Sequence, residues 1–92
     1  MSQKNAEAKI LAHVSEMLPE LTDLRRDLHA HPEPAYQEKR TSKIVVNWLN
    51  ALPGMTLRTG LAGGTGVVAT LGAEKSGPCL ALRADMDALP VQ

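Results

Sequence analysis

The chain has 92 residues, 43% hydrophobic and 22% charged, the balance of one small globular domain rather than a disordered segment. Ten basic and ten acidic residues cancel. No basic cluster exceeds Arg25-Arg26, so neither nucleic acid nor an anionic membrane is an expected partner.

Aromatic residues are sparse, Tyr36 and Trp48 with no Phe, so any core is built from Leu, Val, Ile, Ala and Met. The N-terminal MSQKNAEAKILAHVSEM lacks a continuous apolar run, so no signal peptide is expected. No stretch approaches the ~18 apolar residues that span a bilayer. Cys79 is the single cysteine, which forbids an internal disulfide and makes a soluble cytoplasmic protein the simplest expectation.

Ile10, Val14, Met17, Leu21, Leu24 and Leu28 recur at steps of four and three, the spacing of one apolar stripe on a helix. The stripe is too short for a coiled-coil seam and reads as a helix packed on a sheet. Pro19 lacks a backbone donor and crowds the preceding turn, which predicts a kink or break near Leu18, with the second half running to about Ala30. In HPEP, 31–34, each residue before a proline is pushed to extended geometry, so His31 and Glu33 should leave the helix. A second helix is predicted from about Tyr36 to Leu52, with Ile44, Val45, Trp48, Leu49 and Leu52 on one side and Gly54 as a left-handed stop.

The period then changes. MTLRT (55–59), GVVATLG (66–72) and CLALRA (79–84) read as short strands separated by the turn chemistry of GLAGGT and AEKSGP. The predicted order is helix, helix, strand, strand, strand, an α/β arrangement. The third strand is apolar nearly throughout, which suits burial on both faces. Two helices are a thin cover for such a strand, so 1–92 is expected to be the opening part of something longer.

Four features invite a chemical reading. His29 and His31 in HAH point to nearly opposite sides of a helix and cannot share one ion, and a histidine at a helix C-terminus is favoured by the dipole alone. GLAGGTG (60–66) leads into a strand instead of a helix and supplies no Lys, so it is a turn and not a phosphate cradle. Cys79 has no base beside it in sequence and is expected to pack in the apolar strand. Arg83, Asp85 and Asp87 face one way if the chain stays extended, because the period is two. They would then sit at the carboxyl end of a strand, where open α/β sheets place ligands. Two carboxylates that close repel unless Arg83 or another cation neutralises them.

LRRDLHAHPEPAYQE (24–38), TGVVATLG (65–72) and LALRADMDALPV (80–91) resemble, in order, the N-terminal part of the hippurate-hydrolase type amidohydrolases. These are grouped with the co-catalytic di-metal carboxypeptidases and N-acyl-amino-acid deacylases. The resemblance implies a zinc-carboxypeptidase-like α/β catalytic domain with a smaller lid or dimerisation domain inserted later, and a homo-oligomer at full length. It implies hydrolysis of the amide bond of an N-acyl amino acid or similar small substrate, by water bound to two divalent ions (Zn, Mn or Co) with a glutamate as base.

The family's Cys-Gly-His motif, Glu-Glu pair and further histidines are expected beyond residue 92, so no residue of this chain is assigned as a metal ligand. Related peptidases carry His-x-Asp where this sequence has Arg83-Ala84-Asp85, and a guanidinium cannot ligate a cation. The resemblance therefore implies one site residue here, Asp85, an active-site carboxylate that orients a ligand imidazole through its free N–H. Arg83 and Asp87 are expected to brace the loop, while His29, His31, Glu33 and Glu38 remain supporting residues to which the resemblance gives no metal role. A dipeptidase-type metallopeptidase and a non-enzymatic interaction module are the alternative readings.

Overall fold

The structure is a computed structural model that describes residues 3–90. The element order is α1 (Gln3–Ala30), α2 (Lys39–Asn50), β1 (Met55–Leu61) and β2 (Gly66–Leu71). The chain divides into two compact units, Met1–His31 and Pro32–Gln92.

The first unit is α1. Its helical run is continuous through Pro19, so the predicted break near Leu18 does not occur. One missing donor is a local loss that 28 residues of helix absorb without ending. The helix stops at Ala30, as the HPEP segment requires. Ile10 is 62% exposed and Val14 and Met17 are exposed as well, so this half of the stripe is not the buried face that was predicted. Leu21, Leu24 and Leu28 are half-buried.

The second unit is a small α/β arrangement in which α2 packs against both strands of a two-stranded antiparallel sheet. Met55 pairs with Leu71 and Leu57 with Ala69, so alternate positions of β1 and β2 share a face. Ile44, Val45 and Leu49 of α2 are half-buried, as are Met55, Leu57, Val67 and Ala69 of the strands. Partial burial of this kind contributes roughly 1 kcal/mol for each large side chain. Among the described residues no apolar side chain is fully buried; the two buried residues are threonines, Thr41 and Thr65, each 6% exposed.

The helix begins at Lys39 and not near Tyr36 because residues 34–37 form a turn closed by the Gln37 N–H on the Pro34 carbonyl, 3.0 Å. Gly54 is left-handed at φ +76°, as predicted, although it follows the last helical residue by four positions. The register slips between Arg58 and Leu61, where Gly60 takes φ +70°, giving a bulge at the hairpin end. Just beyond the turn, a Cβ on Gly66 would lie 3.0 Å from the Leu61 backbone carbonyl. Gly66→Ala is therefore expected to lower stability by at least about 1 kcal/mol, read as a lower urea midpoint.

Residues 79–90 form no third strand. An isolated extended segment has no ladder to satisfy its backbone, and no strand in this unit pairs with it. Its apolar residues lie open: Leu80 is 84% and Leu82 90% exposed. Cys79 is exposed too, so the packed cysteine expected from the sequence is corrected for the same reason.

Candidate active-site cleft

Extended backbone throws every second side chain to the same side whether or not a ladder forms. Arg83 and Asp85 accordingly meet, with Arg83 Nη2 donating to Asp85 Oδ1 at 3.0 Å. Both side chains are largely exposed, so the pair contributes little to stability, about 0–1 kcal/mol. What it does is offset the charge of one carboxylate where two lie close in sequence.

Arg83, Asp85 and Asp87 line one cleft of about 380 Å³ within the second unit. Its opposite wall comes from the β1–β2 turn and the start of β2, through Ala62, Thr65 and Val67, and from the Tyr36–Glu38 loop. Ala84 and Met86 line the same cleft, so its lining does not by itself set the three charged residues on one side, and a loop and not a strand carries them. Tyr36 has φ +66°, a left-handed conformation that costs a residue with a Cβ about 1–2 kcal/mol. Its ring lies beside Gly63, where an added Cβ would come within 3.8 Å of Cδ1. Strain of this sort concentrates at ligand-binding walls.

Glu33 and Glu38 hold this unit together from the polar side. The Glu33 carboxylate accepts from Arg40 N at 3.0 Å, Thr41 N at 2.6 Å and Thr41 Oγ1 at 2.7 Å. Arg40 and Thr41 are the second and third residues of α2, the positions whose N–H groups an N-cap side chain satisfies. Glu38 occupies the cap position in sequence but makes no side-chain cap bond, so Glu33 caps the helix from the preceding loop. Partial burial opposes the charge on Glu33, but the backbone N–H of Arg40, the Thr41 hydroxyl and N–H, and the Arg40 charge outweigh it and hold the carboxyl below its ordinary value. Glu38 instead accepts from the buried Thr65 Oγ1 at 3.3 Å, at the cleft wall.

His29 is exposed in the last turn of α1. His31 Nδ1 lies 2.9 Å from the Asp27 carbonyl. A carbonyl only accepts, so this bond needs the proton on Nδ1, and it closes the end of the helix. Among the described residues no three His, Cys, Asp or Glu side chains converge as a metal-holding group. Among the described residues no helix is long and apolar enough to cross a membrane.

No protein-family model and no solved structure matches the chain. Among curated proteins, the thermostable carboxypeptidase 1 of Saccharolobus solfataricus is 40% identical over 84 residues, covering 91% of this chain and 21% of that protein. The N-acyl-L-amino acid amidohydrolase of Geobacillus stearothermophilus is 39% identical over 79 residues, covering 86% of this chain and 21% of that protein. The chain is thus similar to part of proteins named as amidohydrolase and carboxypeptidase. The first curated relatives it matches are covered over only 9 to 23% of their length. The lowest of these shares belongs to a protein of Rhodococcus jostii named for glutamate–cysteine ligation, 50% identical over 72 residues. Its name departs from the hydrolases, but a match to 9% of a protein says little about what the remainder does.

Sequence reasoning placed Asp85 and its neighbours but gave Glu33 only a supporting part. The signal was available: an acid flanked by prolines, eight residues ahead of a Thr that opens an apolar helix, is placed to meet that helix's orphan donors. Thr41 and Thr65 carried no comparable mark, since an isolated Thr in sequence looks like any exposed polar residue.

Proposed function

We propose that this chain is the N-terminal portion of the α/β catalytic domain of a metal-dependent amidohydrolase. The enzyme cleaves the amide bond of N-acyl amino acids or similar small substrates, and Asp85 is its active-site carboxylate from this segment. The observation that carries the reading is the shared cleft of Arg83, Asp85 and Asp87 in a chain related to proteins named as amidohydrolase and carboxypeptidase.

The family's divalent ions would polarise the scissile carbonyl when bound. The described residues of this chain do not by themselves form a set that holds such an ion. The contribution of this segment is electrostatic: Asp85 presents an acceptor that can take the N–H of an imidazole brought against it and so fix that ring's tautomer and orientation. Arg83 tempers the charge until then. Titrating zinc or manganese into the 92-residue chain is expected to give no tight stoichiometric isotherm; a tight one would place first-contact ligands here and overturn this division of labour.

A carboxypeptidase among the relatives favours a second substrate class, small peptides, attacked at the same kind of bond. Steady-state rates of the intact enzyme on hippurate and acetyl-amino acids against dipeptides separate the two. Faster turnover of the acylated amino acids is expected, and hydrolysis of neither class would refute the reading.

A further inference from the structure

We infer that Glu33 is a positioning residue for the Asp85 loop, acting through two different parts of itself. Its backbone carbonyl accepts the Ala88 N–H at 2.8 Å. Among the described residues this is the one backbone–backbone hydrogen bond that joins segment 79–90 to the rest of its unit. That segment has no helix or strand to place it, and its Arg83–Asp85 ion pair is internal to it. Ala88 stands three residues after Asp85 and directly after Asp87, so a bond at Ala88 restrains the backbone that carries both carboxylates.

The carbonyl can act as a fixed post because Glu33 is immobilised on either side. Pro32 has its φ locked, and Pro34 restricts Glu33 to extended ψ. The Glu33 side chain is clamped on the first turn of α2 by three hydrogen bonds, two of them from buried Thr41. The carboxylate thus anchors the residue to the helix, and the carbonyl passes that anchorage to the loop. The two sequence segments HPEP and RADMDALP meet through this one residue.

The inference rests on Asp85 having the role proposed above, and its test separates the two. Hydrogen–deuterium exchange by mass spectrometry is run on the intact wild-type protein and on Glu33→Ala, comparing peptides covering 84–90 and 66–71. In the wild type the Ala88 amide should be protected; an unprotected Ala88 overturns the tether. In Glu33→Ala, exchange at Ala88 should rise at least about tenfold more than exchange at the β2 amides.

Should Glu33→Ala loosen both peptides equally, Glu33→Gln decides. The amide retains one acceptor oxygen for Thr41 and loses the one facing Arg40, so a rise confined to Ala88 supports the tether. An equal rise in both peptides, or none at Ala88, overturns it. Where hydrolysis is measured in parallel, kcat should fall about tenfold with KM nearly unchanged, since a small misplacement of a working group costs rate before binding. Protection lost with kcat intact would refute the Asp85 role and leave the tether standing; kcat lost with protection intact would refute the tether.

Discussion

Asp85→Asn in the intact enzyme is expected to lower kcat by about 10- to 100-fold, the usual cost of removing an acid that orients a ligand or reacting group from behind. The substitution keeps the shape of the side chain and one acceptor oxygen, so it removes charge and little else. Folding should be unchanged: the Asp85 side chain is 68% exposed, its partner Arg83 is more exposed still, and such a pair contributes about 0–1 kcal/mol. The Ala88 bond to Glu33 uses backbone atoms and survives the change. Arg83→Ala provides the contrast, since it removes the same ion pair but keeps the carboxylate, and should cost far less rate. Steady-state kinetics with circular dichroism on both variants check this. An Asp85→Asn enzyme with wild-type kcat would remove Asp85 from the mechanism.

The elements that local rules determine were legible. α1 ends at Ala30 because HPEP cannot continue a helix, and both strands of the hairpin lie where β-rich runs alternate with glycine turns. The misreadings share one cause, which is that burial is not a local property. CLALRA has the composition of a doubly covered strand, yet a strand needs a neighbour, and none in this unit pairs with it. The expected packing of Cys79 fell with that strand. At Pro19 the break alternative fails, because the local cost is outweighed by the helix on both sides of it.

In the site, the period of two brought Arg83 and Asp85 together without any sheet. The Glu33–Ala88 bond was not legible, because it joins residues fifty-five positions apart. No pattern within either motif carries that pairing.

The clamp also makes an acid-sensitive element. Glu33 is held below its ordinary value near 4.5 by donors that favour the carboxylate. A carboxyl whose folded pKa is depressed contributes stability that is fully present above the unfolded value and is lost as pH falls through the folded one. At neutral pH the cap is complete. Acidification below about 4.5 should therefore loosen the start of α2 first, while the hairpin, whose ladder contains no carboxylate, persists further into acid.

Glu33→Ala removes the cap at every pH. It withdraws a charged N-cap and orphans the buried Thr41 hydroxyl, a combined loss of about 2–4 kcal/mol at pH 7. Glu33→Gln should lose less at neutral pH and, lacking a proton to bind, should flatten the acid limb of stability below about pH 4.5. Urea unfolding across pH 3–7 for the three proteins checks both magnitude and sign. An acid limb equally steep in Glu33→Gln would assign the acid sensitivity to another carboxylate and remove Glu33 as the group that titrates.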